Sequence, residues 1–173
     1  MEAITDIEND LPFKILGFDS DNGNEFINWH LYKYLAKRKN PVSYTRSRPY
    51  KKNDNAHIEQ KNWTIVRQYM GYNRIESHKA VQKMNKLYRN EFTMFLNYFI
   101  PSVKLISKNR IGSKIIKKHD IAKTPYHRIM ESKFIDNKTK GIQKRIKESL
   151  NPFDLEQKIK NQIKEIHDLS VLN

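Results

Sequence analysis

A strand, a helix and a second strand, joined by short turns, constrain this chain more than any other feature of its sequence. Lys14 to Phe18 contains the apolar run Ile15-Leu16-Gly17-Phe18 and reads as a buried strand that ends at the turn "DSDNG". Asn22 and Gly23 tolerate positive φ, which explains the turn but not the carboxylate of Asp21 beyond the strand. From Glu25, residues Phe26, Trp29, Leu31, Tyr32 and Leu35 recur at helical spacing, and the pattern fades at "KRKNP". Val42 to Thr45, "VSYT", is β-branched and aromatic and reads as a second strand. Such a unit predicts a parallel pair, because the helix returns the chain to the same sheet end.

Helical patterns fill most of the rest. Asp54 is the expected cap of a helix through "NAHIEQKNWTIVRQYM", with Ile58, Ile65, Val66 and Tyr69 on one side and Gly71 as its stop. A longer helix is expected over His78 to Phe99, with an apolar stripe that includes Val81, Leu87, Phe92 and Phe95. Pro101 ends it, and the next residues read as basic and irregular. Two further helical segments follow "TPYHRIMES". The last opens at Asn151-Pro152, a cap followed by Pro at the first helical position. Its stripe of Leu155, Ile159, Ile163 and Ile166 reads as a docking face. The expected fold class is mixed α/β over residues 12–72, with parallel strands, and mainly helical afterwards.

Charge narrows the partners. The chain has 173 residues and a formal net charge of +14. That excess suits a polyanion, nucleic acid before an anionic membrane surface. There is no Cys, so disulfides, thiolate chemistry and Cys-containing zinc sites are excluded. The six His residues show no metal-ligand spacing. No apolar run approaches the ~18 residues of a membrane helix, and the acidic "MEAITDIEND" is unlike a signal peptide. A cytoplasmic protein without a membrane partner is expected.

In parallel α/β sheets ligands bind beyond the carboxyl ends of strands. Asp21 lies there, and Glu59, early in the helix after the second strand, is expected at the same end. Taken singly, these are an ordinary turn and an ordinary solvated Glu. Together they would form a hard-oxygen site for Mg²⁺ or Mn²⁺, because two close carboxylates repel unless a divalent cation bridges them. Between them run Lys37, Arg38, Lys39, Arg46, Arg48, Lys51 and Lys52, interleaved with Tyr44 and Tyr50 and with no acid. Basic side chains neutralise phosphates, and aromatic rings stack on bases. Lys61 and Arg67 extend this DNA-binding set along the helix. A second basic region, Val103 to Lys118, adds Lys104, Lys108, Arg110, Lys114, Lys117 and Lys118, again with no acid.

"DSDNGNEFIN" and "TRSRPYKKNDNAHIEQKNWTIVRQYMGYNR" resemble the second half of the catalytic core of bacterial insertion-sequence transposases. These belong to the retroviral-integrase-like branch of the DDE recombinases. "NYFIPSVKLISKNRIGSKIIKKHDIAKTPYHRI" resembles the basic region that follows this core, and together the stretches cover most of residues 12–135. The resemblance implies a partial ribonuclease-H-like fold in residues 1–100, followed by a basic, mainly helical region over 101–173. It also implies that Asp21 and Glu59 are the second and third catalytic carboxylates and ligands of Mg²⁺ or Mn²⁺. Asn62 matches an Asn one helical turn after that Glu. The spacing between the carboxylates is slightly longer than is common in the branch.

One departure stands out. The family places a first Asp on an earlier strand, and Asp6 and Asp10 sit in a polar stretch that does not fit that role. Asp19 is expected as a local charge or a turn acceptor. The function implied is that of a truncated integrase or transposase acting in DNA integration, inactive in strand transfer by itself. Its partners would be DNA, a second copy or a full-length transposase. The alternative is a non-catalytic, DNA-binding or regulatory remnant.

Overall fold

A computed structural model of the protein describes residues 2–20, 29–48 and 56–171. It divides the chain into two compact units, Met1–Asn73 and Arg74–Asn173. The helical run over residues 78–99 lies in the second unit.

The first unit is built on the expected parallel pair. Strand β1 (Gly17–Ser20) pairs in parallel with β2 (Ser43–Arg46), in the register Gly17↔Ser43 through Ser20↔Arg46, and helix α2 (Trp29–Ala36) connects them. The ladder is prolonged at both ends, where Ser43 N–H donates to Leu16 O at 3.0 Å and Ser47 N–H to Ser20 O at 3.0 Å. β1 lies further along the chain than the apolar run suggests. Its pairing partner begins only at Ser43, so Ile15 packs on the core ahead of the strand while Leu16 points outward. As a result β1 ends directly before Asp21.

Leu31 and Leu35 of α2, with Val42, form the buried centre of this unit, and Ile4, Ile15, Phe18, Tyr34 and Tyr44 pack around it. Spacing of four residues puts Leu31 and Leu35 on one helix face. Val42 N–H closes the turn onto Leu35 O at 2.8 Å. The polar N-terminal stretch is helix α1 (Glu2–Asp10). Tyr34 Oη donates to Glu8 Oε2 at 2.5 Å, and Arg38 Nη1 meets Glu8 Oε1 at 2.7 Å. These bonds to the ionised form, Tyr34's first, hold the Glu8 carboxyl below the usual range.

α3 (Ala56–Lys61) runs on through a wider π-helical turn (Asn62–Arg67) into α4 (Gln68–Met70). Gly71, at φ 70° and ψ −159°, takes a positive-φ conformation that favours glycine, and the helix stops there. Asp54, the expected cap, lies outside the described residues.

In the second unit α5 (His78–Leu87), a π-helical turn (Tyr88–Phe92) and α6 (Thr93–Phe99) make one run with the expected bounds. Ala80, Leu87, Phe92 and Tyr98 are its buried residues. They meet α9 (Pro152–Val171), whose Leu155, Ile159 and Ile166 are buried, so the expected stripe is a docking face. Asn151 Oδ1 accepts from Phe153 N–H at 3.0 Å, the cap the sequence suggests. α7 (Pro125–Glu131) and α8 (Asn137–Ser149) are capped by Thr124 and Asp136.

The basic stretch after Pro101 is not irregular. β3 (Leu105–Ile111) and β4 (Lys114–His119) form an antiparallel hairpin with a two-residue connection, Gly112-Ser113. Gly112, at φ 62°, supplies the positive φ that such a turn requires. The region from residue 101 onward is thus mainly helical, as expected, with one small sheet.

Candidate nucleic-acid interface

The carboxyl ends of both strands in the first unit finish level, with Ser20 opposite Arg46. Arg46 and, two residues on, Arg48 are exposed. Behind them the sheet is closed by packing: Phe18 lies against Tyr44 with ring centroids 5.8 Å apart, and Ser20 Oγ lies 3.3 Å from Tyr44 Oη. Asp19 points to the other face, where Thr45 Oγ1 donates to its Oδ1 at 2.7 Å. It is an acceptor across the strand pair, where the sequence suggests a local charge or a turn acceptor.

Of the two implied catalytic carboxylates, Glu59 is exposed in α3, while Asp21 lies outside the described residues. Lys51 and Lys52 also lie outside them. Carboxylate oxygens are the right donor type for Mg²⁺ or Mn²⁺. Among the described residues, however, no group of three His, Asp or Glu side chains converges as a metal site. The described geometry therefore does not bring a ligand set together, and no strand-cleavage step is derived from it.

The other residues of the first unit divide by role. Lys61 is exposed at the end of α3, and Asn62 is exposed one residue on. Arg67 is exposed as well, but its guanidinium lies 5.3 Å from the Tyr72 ring centroid and its Nη1 is 3.5 Å from Gly71 O. It thus also steadies the helix terminus, where a cation is favoured by the carbonyl dipoles. Arg38, part of the basic loop in sequence, is occupied by Glu8 and so holds α1.

The apolar spacing in α2 hides a further basic and aromatic patch. Trp29 and Tyr32 stack with centroids 5.2 Å apart on the exposed side, and Lys33 and Lys37 approach the Trp29 ring at 5.7 and 5.9 Å. Both aromatics look like core residues in sequence. Only the helical phase signals otherwise: at about 100° per residue Trp29 and Tyr32 fall on a different side from Leu31 and Leu35.

The hairpin carries the basic groups of the second unit that the sequence singles out. Lys108, Arg110 and Lys114 are all exposed, as are Lys104, Lys117 and Lys118. Residues directly opposite one another share a face of the ribbon. Lys108 faces Lys117 and Arg110 faces Ile115 on one side, while Ser107 faces Lys118, Asn109 faces Ile116 and Ile111 faces Lys114 on the other. Lys117 gains its importance only from this register, which composition alone does not reveal.

The base of the hairpin is fixed. Asp120 N–H donates to Lys104 O at 2.9 Å, and Asp120 Oδ1 accepts from Lys104 N–H. Arg128 of α7 reaches Asp120 Oδ2 through Nη1 at 2.6 Å and Ser102 O through Nη2 at 2.7 Å. Arg128, then the Lys104 amide, hold the Asp120 carboxyl down at about 2. Among the described residues no helix is long and apolar enough to cross a membrane.

No family model matches the chain, and no solved structure matches it. Over 117 residues, 68% of this chain, it is 37% identical to an uncharacterized protein of Sinorhizobium fredii, y4rM. The match covers 33% of that protein, so the chain spans about a third of the length of the curated relative it matches.

Proposed function

We propose that the chain is a DNA-binding, carboxyl-terminal portion of an integrase-like transposase, with a partial ribonuclease-H-like fold, and that it acts in DNA integration. The observation that carries this reading is the parallel β1–α2–β2 unit, whose carboxyl end sets Arg46 opposite Ser20, with exposed Arg48 two residues on. In parallel α/β sheets this is the end at which ligands bind. The net charge of +14 and the exposed bases of the hairpin support the same partner.

In the assembled parent protein, Asp21 and Glu59 would hold Mg²⁺ or Mn²⁺. When bound, the ion supplies activation of an attacking oxygen and stabilisation of a leaving one in phosphodiester chemistry. The residues of this chain do the rest by binding: Arg46, Arg48, Lys51, Lys52 and Lys61 neutralise phosphates and set the strand at the sheet end.

Two measurements on the full chain test this. Replacing Arg46 and Arg48 by Ala is expected to weaken duplex DNA binding about tenfold, in line with two lost phosphate contacts; unchanged affinity would remove the sheet end from the interface. Calorimetric Mn²⁺ titration of Asp21→Asn and Glu59→Gln checks the metal assignment, which fails if both variants bind the ion as the parent chain does.

A further inference from the structure

The β3–β4 hairpin is an unusual object for a compact unit. Every residue of both strands except Ser107 is exposed, and the two strands pack chiefly on each other. A two-stranded ribbon without cover is marginal in water. This one also places Lys108 directly opposite Lys117, with Arg110 two residues along the same face. Like charges at directly opposed positions destabilise a sheet. Its base, by contrast, is tied by the Arg128–Asp120 pair and by the Ser102↔Lys123 bridge. The result is an arm with a fixed root and a strongly positive blade, whose Lys108, Arg110 and Lys117 have no carboxylate partner among the described residues.

We propose that this hairpin is a ribbon arm that seats in the major groove of duplex DNA, with the Lys108, Lys117 and Arg110 face toward the phosphates and base edges. The proposal rests on the reading of the chain as a DNA binder and names the element and the groove. Three properties of the ribbon fit a duplex. Its bases, Lys104 through Lys118, number six with no acid among them, which matches a polyanion. A two-stranded antiparallel ribbon is an object that the major groove, about 12 Å wide, admits, whereas the minor groove at about 6 Å does not. The phosphates lining that groove supply counter-charge to the directly opposed lysines. The same face ends at Ile115, an apolar group suited to contact with a thymine methyl.

The test uses the full chain and a labelled random-sequence duplex. The variant K108A/R110A/K117A is expected to bind about tenfold or more weakly, with its slope of log affinity against log salt smaller by about 3. Arginine at positions 108 and 117 is expected to keep most of the affinity, which separates charge from fold. Methyl green, which occupies the major groove, is expected to displace the parent chain, while the minor-groove ligand distamycin is not. A triple variant that binds with the parent's affinity and slope overturns the arm but leaves DNA binding by the sheet end standing. Displacement by distamycin instead of methyl green overturns the groove assignment. Failure of the parent chain to bind duplex DNA at all removes both the arm and the function proposed above.

Discussion

Arg128 Nη1 lies 2.6 Å from Asp120 Oδ2, so a helix that follows the hairpin grips the residue at which the hairpin ends. Arg128 Nη2 takes Ser102 O on the opposite strand side at 2.7 Å, and one guanidinium thereby spans both legs of the ribbon. A planar guanidinium with several donors in fixed directions does this where a lysine could not.

The Asp120 carboxyl is held down to about 2 from an ordinary 3.8, first by Arg128 and then by the Lys104 amide. A depressed carboxyl contributes stability that is full above its unfolded value and is lost as pH falls through its folded one. Protection of the hairpin amides against hydrogen exchange is therefore expected to hold at pH 5 and to decline between about pH 4 and 2. In Asp120→Asn that acid-dependent component should be absent, and Arg128→Lys should weaken protection at every pH.

Phe92 and Leu87 are fully buried in the helical run that meets α9. Phe92→Ala is expected to destabilise the second unit by about 3–5 kcal/mol, and Leu87→Ala by about 2–5 kcal/mol. Denaturant unfolding followed by circular dichroism measures both. A loss below 1 kcal/mol at either position would mean the α5–α9 packing is looser than described.

Thr124 is buried, and its Oγ1 accepts from His127 N–H at 3.2 Å at the start of α7. Thr124→Ala is expected to cost about 1 kcal/mol, while Thr124→Ser, which keeps the acceptor, should cost much less. The comparison also reports on the hairpin, because α7 carries Arg128.

Glu8 ties α1 to α2 through Tyr34 and Arg38. Glu8→Gln is expected to loosen α1 by about 1 kcal/mol, since an amide retains part of the bonding but not the charge. Faster proteolysis within residues 2–10, with the β1–β2 amides unchanged in exchange, is the expected signature. Equal cleavage rates in the two proteins would count against the tie.

The sequence was most legible where two levels of pattern agreed. The β1–α2–β2 order, the parallel pairing and the α9 stripe follow from periodicity plus short turns, because each element has only one way to bury its apolar side. The hairpin was hidden by its charge. Alternation of apolar and polar residues marks a strand with one buried face, and Lys108 to Lys118 has no buried face to alternate against. Its remaining signals were the β-branched Ile106, Ile111, Ile115 and Ile116 and the Gly112-Ser113 turn. Helix α1 escaped for a related reason, since Glu8, a charged residue, makes its main tie. At the candidate site, Arg46 and Arg48 stand where the strand order places them. The joint placement of Asp21 and Glu59 rests on the family resemblance.

The central claim is that this chain grips the phosphate backbone of DNA, and the salt dependence of its affinity for duplex DNA tests that most directly. Fluorescence anisotropy between about 50 and 200 mM salt should give a straight line of log affinity against log salt, with a fall of about 10³-fold or more if six or more phosphates are engaged. An affinity that does not change with salt, or no binding at the low end of the range, would contradict the account.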